Sequence, residues 1–404
     1  MKRLLIILTL AVSGLCAMAQ GDSLMTIQGV VKDRSTGRVM PFASVTVGKV
    51  GTVTNEDGAF TLKVRRETEE IVVSSLGYKS QRVKAQPDVG IIRLVPSAVR
   101  LSEIIVRADD PEAVLRAAIR KIPDNYAKRG ELFDGFYRET VQKRKKFIDV
   151  AEAVTHMYKT DYGKQHIGRD GVSIVKGRRL VSAKLADTLG VKVKGGPVLP
   201  VFLDIVKNQE FLLSDEALED YDIGMGTPEK ADERLQYVVT LTPRPGREYA
   251  LFNGRVLIDQ ERLSVTRVEL NLDVSDQEKA TRYMLVHRPI GLRFRPRELS
   301  LQVNYKTEGD VTRIQYVRNV FRFNCDWKRR LFHSPYTVTS EMVVTDREDG
   351  EVTPMPRKQM FKSWDSLFDR AEYFDDPDFW GNYNIIEPSE SLEKAVKKLK
   401  RVEN

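Results

Sequence analysis

Residues 27–64 read IQGVVKDRSTGRVMPFASVTVGKVGTVTNEDGAFTLKV, and this stretch decides the fold class. Short runs rich in β-branched and aromatic residues, Thr26–Lys32, Ala43–Val47, Gly51–Thr54 and Ala59–Val64, alternate with clusters of Gly, Pro, Asn and Asp. Short strands at this spacing, separated by turn residues, are the pattern of an antiparallel β-sandwich. The link Asn55-Glu56-Asp57-Gly58 mixes Asn and acids in the manner of a calcium loop. It is far shorter than the roughly twelve residues such a loop takes and lacks its closing bidentate acid. Its reading is a hairpin turn in which Gly58 supplies the positive φ. The strand pattern continues through Ile71–Ser75, the segment after Gly77-Tyr78, Ile91–Leu94 and Glu103–Val106.

Upstream, the first residues have a different character. Lys2 and Arg3 precede an apolar core from Leu4 to Val12, and Ala17-Met18-Ala19 places small residues before Gln20. This is the pattern of a secretory signal peptide, too short to span a bilayer, with cleavage expected between Ala19 and Gln20. Leu15 before Cys16 departs from the small residue that a lipid-attachment site wants. Cleavage removes the two cations, so the formal net charge of +8 falls to +6 in the mature chain. Only Cys325 is left, which excludes an intramolecular disulfide. The composition, 41% hydrophobic and 30% charged, excludes a polytopic helical membrane protein and a disordered chain. The positive excess is spread along the chain, and export argues against a nucleic-acid partner.

Downstream, Asp110 is placed to cap a helix whose face is Val114, Leu115, Ala118, Ile119 and Ile122, ended by Pro123. Strand patterns return over residues 132–182 and 236–345. In the latter, Val268, Leu270 and Leu272 alternate with Arg267, Glu269 and Asn271, and Leu299, Leu301, Val303 and Tyr305 alternate with Ser300, Gln302 and Asn304. A period of two gives each strand one buried and one wetter face. Between these regions, Gly195-Gly196-Pro197 precedes an apolar helical stretch. Leu199, Phe202, Leu203, Val206 and Phe211 are its ligand-binding candidates, expected to cover the sheet's concave face as a fixed plug or a movable lid. Near the end, Phe379-Trp380 is expected to pin the chain to the sheet, and Leu392, Ala395, Val396 and Leu399 stripe a terminal helix.

The search for chemistry returns no catalytic residues and no metal or cofactor site. His156, His166, His287 and His333 lack zinc-ligand spacing, and neither H-E-x-x-H, G-x-S-x-G, G-x-G-x-x-G nor a P-loop occurs. Ser173 sits in Gly171-Val-Ser-Ile-Val175, which reads as a strand start, and Cys325 lies between Phe323 and Trp327 as a packing residue.

The quoted stretch, followed by IVVSSLGYKSQRV (71–83) and IIRLVPSAVRLSEIIV (91–106), resembles a carboxypeptidase-regulatory-like domain, the transthyretin-like sandwich at the front of many Bacteroidota envelope proteins. The matching landmarks include Gly29, Asp33, Gly37, Pro41, Asn55, Gly58, Phe60, Gly77 and Tyr78. The resemblance is to an accessory domain and implies no peptidase activity. Tyr249, Asn253-Gly254 through Asp259 and Val265–Leu270 are similar to a LolA-like lipoprotein carrier, whose open curved sheet is plugged by helices.

The expected architecture is mainly β. A signal peptide (1–19) precedes a sandwich (20–107) and a linker helix (108–128). A β-rich α+β domain with an open curved antiparallel sheet (129–386) and a C-terminal helix (387–404) follow. The expected function is non-enzymatic binding or scaffolding in the periplasm or at the outer membrane. The partner is an envelope protein, a lipid or an acylated ligand, and no transmembrane segment is expected in the mature chain. The alternatives are a LolA-like carrier and a hydrolase with catalytic residues scattered in sequence.

Overall fold

The computed structural model describes residues 24–97, 110–164, 167–182, 192–193, 196–287, 290–327, 334–362, 367 and 378–403. The expected signal peptide and its cleavage site at Ala19 and Gln20 lie outside them, as do the run Glu103–Val106, His166, Gly195 and His333.

The sandwich pattern folds as read, with one difference. Strands β1 (Leu24–Asp33), β2 (Ser44–Val47), β3 (Val50–Val53), β4 (Ala59–Arg65), β5 (Glu70–Ser74), β6 (Gln81–Lys84) and β7 (Asp88–Leu94) form two sheets, ordered β4-β1-β7 and β3-β2-β5-β6. Ile27, Val31, Phe60 and Leu62 of one sheet meet Val45, Ile71 and Val73 of the other in a single core. Gly58 has φ +73°, and a Cβ there would sit 2.7 Å from the Val31 carbonyl oxygen, so both turn geometry and space demand glycine. The difference is that β1 and β7 pair in parallel. A parallel pair needs a crossover rather than a hairpin, and the excursion through β5 and β6 in the other sheet provides it.

The linker begins with α1 (Pro111–Arg120), capped by the Asp110 carboxylate, which accepts the N–H groups of Glu112 and Ala113 at 2.9 and 3.1 Å. Pro123 does not end this helix but lies in the first turn of a second one, α2 (Ile122–Asn125), where its missing N–H has no partner to lose. The chain then gives β8 (Glu131–Lys143), β9 (Lys146–Lys159), β10 (Gly171–Val181), β11 (Lys192–Val193), α3 (Leu199–Phe202) and α4 (Asp215–Leu218). Next come β12 (Tyr221–Met225), β13 (Glu229–Ala231), β14 (Arg234–Pro243), β15 (Phe252–Asp259), β16 (Val265–Leu272), α5 (Gln277–Met284) and β17 (Leu285–His287). The last elements are β18 (Leu292–Glu308), β19 (Val311–Trp327), β20 (Ser334–Arg347) and α6 (Glu390–Glu403). The large antiparallel sheet has the order β10-β9-β8-β20-β19-β18-β16-β15-β14-β12, with β13 also on β14.

Alternation gives this sheet two distinct faces, and the chain covers apolar surface on both. On the first face, Phe133, Tyr137, Met157, Leu270, Val303, Phe321 and Val338 share a core with α1, α2, residues 199–218 and α5. On the second, Phe136, Val154, Tyr316 and Val343 meet Phe42 and Val53 of the N-terminal sandwich and Phe379, Trp380 and Ile386 of the C-terminal segment. Beside that patch, Leu392 and Leu399 of α6 pack on Phe147, Val150 and Leu180.

Residues 384–388 bond to both halves of the molecule. Asn384 accepts the Lys63 N–H at 2.7 Å and donates to the Lys63 carbonyl at 3.0 Å. The Thr52 hydroxyl donates to Ile385 O at 2.9 Å and the Asn55 amide to Pro388 O at 3.1 Å. From the large sheet, Arg138 donates to Ile386 O at 2.7 Å.

Trp380 is the largest side chain in this seam, edge-on to Phe136 at 5.4 Å with the Arg178 guanidinium 4.9 Å from its ring. Trp380→Ala is expected to lower unfolding free energy by ~3–5 kcal/mol in urea titration, the cost of truncating a buried aromatic. A loss below ~1 kcal/mol would mean that the seam does not hold the C-terminal segment down.

Candidate functional site

The stretch after Gly196 lies on the first face of the large sheet. Gly196 has φ +95°, and its N–H is shared between the Tyr137 hydroxyl at 3.1 Å and the Glu139 carboxylate at 3.2 Å. Leu203 and Val206 are buried, and Leu199 and Phe211 are half-buried against the same core, the Phe211 ring 5.7 Å from Phe252. Phe202 is different: it is 42% exposed, and its side chain does not join that core. The helix supplies the reason. α3 is a single turn whose buried residues are Pro200 and Val201, so it faces the core through those positions and Phe202 is left on the exposed side.

What fixes this stretch is a set of charges buried beneath it. Lys159, the last residue of β9, is 1% exposed and lies 2.8 Å from Asp204 and 3.0 Å from Asp170, both 0% exposed. Asp204 also accepts the Tyr162 hydroxyl at 2.7 Å and the Tyr305 hydroxyl at 2.9 Å. Asp170 accepts the N–H and the hydroxyl of Thr160 at 2.9 and 2.8 Å. Lys207 donates to the carbonyls of Asp161 and Lys164. Tyr126 stacks on Tyr162 at 5.1 Å, meets Tyr305 edge-on at 6.0 Å and donates to Val265 O at 2.6 Å. Burial works to lower the Lys159 pKa, but Asp204 and Asp170 outweigh it and hold the ammonium above its ordinary value. Burial alone would raise Asp170, yet Lys159 and the Thr160 bonds bring its carboxyl below the usual range. Burial, with the neighbouring Asp204 charge, pushes the three tyrosines well above theirs. Lifting residues 199–213 off the sheet would separate the buried Asp204–Lys159 pair, a cost that opposes movement of this stretch.

The sequence reading missed this cluster, although one signal was present. Leu203-Asp204-Ile205-Val206-Lys207 puts an acid and a base three apart inside an apolar run, where a solvated face would not alternate that way.

Open space lies elsewhere. A cleft of about 320 Å³ separates the N-terminal sandwich from the second face of the large sheet. Ser44, Ser74 and Ser75 form one wall, and Arg234, Gln236, Arg267 and Asn304 the other. The two walls are tied at both ends of the cleft. At one end Gly77 N–H donates to Lys230 O at 2.8 Å and the Ser80 hydroxyl to Asp232 at 3.0 Å. At the other, Lys306 donates to Thr46 Oγ1 at 2.5 Å and Gln315 to Ser44 Oγ at 2.6 Å. The floor is built rather than loose. Gln236 is buried, accepts the Thr266 hydroxyl at 2.7 Å and donates to Arg234 O at 3.2 Å. Arg267 is held by Glu269 at 2.6 Å. Burial opposes the charge on Glu269, but Arg267 and Arg255 outweigh it and lower the carboxyl pKa. Guanidinium, amide and hydroxyl groups can orient a polar ligand here.

Other reactive groups are quiet. Burial, reinforced by the Asp326 charge, pushes the Cys325 thiol up to about 11, so little thiolate forms near neutrality. His156 Nδ1 lies 2.7 Å from Asp134, and that hydrogen bond raises the imidazole pKa against partial burial. Ser173 stands opposite His156 in the β9–β10 register, but no hydroxyl bonds to His156 among the described residues. Asn55 Oδ1 accepts the N–H groups of Asp57 and Ala59, which is hairpin chemistry. Among the described residues there is no group of three or more His, Cys, Asp or Glu placed to hold a metal.

Residues 27–106 match the model of the CarboxypepD_reg-like domain. No curated protein matches the chain. Solved structures similar to it include a domain assigned to outer-membrane lipoprotein sorting from Vibrio parahaemolyticus, 13% identical over 59% of this chain and 93% of that one, with a TM-score of 0.26. A LolA superfamily protein from Nitrosomonas europaea is 12% identical over 63% and 98% of the two chains, with a TM-score of 0.21. A DUF1329 family protein from Desulfovibrio piger is 12% identical over 58% and 93%, with a TM-score of 0.25. All three similarities are weak.

Two substitutions separate a plug from a lid. Lys159→Met strands two buried carboxylates and is expected to cost ~3–5 kcal/mol. Phe202→Ala, on an exposed ring, is expected to cost less than ~1 kcal/mol. Chemical denaturation of the two variants checks the order, and a reversed order would contradict the plug.

Proposed function

We propose that this is a non-enzymatic binding or scaffolding protein of the cell envelope, and that its ligand is a polar group held in the cleft between the N-terminal sandwich and the large sheet. One observation carries the reading. The apolar first face of the sheet is filled by the chain's own residues 199–218 and helices, whereas the cleft against the sandwich is lined by guanidinium, carboxylate, amide and hydroxyl groups beside Phe42 and Leu76. An acyl-chain carrier needs an apolar cavity free to receive its cargo, and the plug occupies the face that would provide one. The buried high-pKa Cys325 and the His156–Asp134 pair with no bonded hydroxyl give a hydrolase reading no support. The signal-like start, Lys2 to Ala19, favours export. No helix among the described residues is long and apolar enough to cross a membrane.

The ligand class suggested by the cleft is a short peptide segment or a saccharide, since mixed donors and acceptors without a dominant charge suit either. Thermal-shift screening of the mature chain against envelope-derived peptides and oligosaccharides tests this, with a fluorescent fatty acid in parallel. A polar ligand is expected to raise Tm, Ser75→Trp, which fills the cleft, is expected to abolish that rise, and the fatty acid is expected not to bind. Saturable fatty-acid uptake that survives Ser75→Trp would replace this reading with the carrier.

A further inference from the structure

One end of the large sheet carries a run of exposed cations. Strand pairing brings four chain segments together there. Leu292 of β18 pairs with Trp327 of β19, Cys325 of β19 with Ser334 of β20, and Tyr336 of β20 with Lys143 of β8. The β8–β9 turn, with Arg144 and Lys145 at φ +49° and +64°, is tied to β20 by Arg144 N–H donating to Pro335 O at 2.9 Å.

Two features of this end are exposed together. The first is cationic. In Leu292-Arg293-Phe294-Arg295-Pro296-Arg297 the apolar residues are buried and the three arginines are exposed on one face. Arg255, Arg267 and Arg322 elsewhere on that face are each held by an acid. By contrast, Arg293, Arg295, Arg297, Arg144 and Lys145 form no ion pair among the described residues. The acid opposite Arg293, Asp326, is buried and accepts the Ser334 N–H at 2.5 Å. The second is apolar. Ile290, just before β18, is 100% exposed.

We infer that this end of the sheet docks on an anionic bilayer surface, with Ile290 entering the headgroup–acyl boundary and the five cations against lipid phosphates. Isolated cations alone would suit any acidic partner. A fully exposed aliphatic residue followed by three exposed arginines matches a surface that is anionic outside and hydrocarbon within. The opposite end, with the polar cleft, would then face away from the membrane. This inference does not depend on the ligand proposed for that cleft.

Co-sedimentation of the mature chain with vesicles reads the contact. Binding is expected to phosphatidylglycerol-containing vesicles, to fall as salt rises, and to be absent with pure phosphatidylcholine. Each cation contributes roughly fivefold, so Arg293→Glu/Arg295→Glu/Arg297→Glu is expected to lose at least ~100-fold. Ile290→Ser is expected to weaken binding severalfold, while Arg34→Glu/Arg38→Glu, on the sandwich, should leave it unchanged. If the triple variant fails to fold, Arg144→Glu/Lys145→Glu on the exposed turn reads the same surface. Absence of wild-type binding at low salt, equal binding to both vesicle types, or full binding by the folded charge-reversal variant would each overturn the inference. Capture of a soluble acidic protein without vesicle binding would overturn it as well.

Discussion

The contact of Lys159 with Asp204 and Asp170 joins residues 199–218 to the large sheet at a buried point. Hydrophobic burial requires that the first face of the large sheet be covered, but burial is non-directional and would accept many registers of an apolar segment. Two carboxylates and an ammonium at full burial accept very few. Tyr162 and Tyr305 satisfy further lone pairs of Asp204, so the plug and the sheet meet through one network of charges and hydroxyls. Such a network is a weak source of net stability, yet breaking it by half is costly. Its consequence is a cost: displacing the segment means breaking this network.

The second face of the sheet is covered differently. There the sandwich and the C-terminal segment bury Phe136, Val154, Tyr316 and Val343, while toward β14–β18 the strands present Arg234, Gln236, Arg267 and Asn304 instead of aliphatic side chains. The sandwich is anchored to this face at the apolar patch and bridges the polar part through the Gly77–Lys230 and Gln315–Ser44 contacts. A gap with polar walls is what remains when two rigid bodies are joined at their rims. The polar lining of this gap follows from sheet alternation rather than from any local motif.

Much of the fold was legible in the sequence because it follows from local rules. The alternation in Val265–Leu272 and Leu299–Tyr305 is the burial alternation observed, Asp110 caps its helix, and Phe379 and Trp380 lie against the sheet. The parallel pairing of β1 and β7 was not legible, since it depends on which sheet the intervening strands join. Phe202 is exposed because the single turn at 199–202 buries Pro200 and Val201 instead, a phase that the apolar spacing did not reveal. The cleft was invisible in the sequence for a different reason. Ser44 and Gln315 touch across 271 positions, and nothing near either residue signals the other. Lys159 ends a strand that also carries Asp149, Glu152 and His156, and only its partners mark it as the buried cation.

Native-state amide hydrogen exchange tests the fixed plug most directly. The relevant amides are those bonded within the stretch itself, such as Asn208 N–H to Asp204 O at 2.7 Å and Leu213 N–H to Gln209 O at 2.7 Å. If the plug is a permanent part of the core, these amides exchange with the same opening free energy as the central strands β18 and β19. Exchange through an opening several kcal/mol less costly, while β18 and β19 stay protected, would show a segment that lifts by itself and would contradict the account.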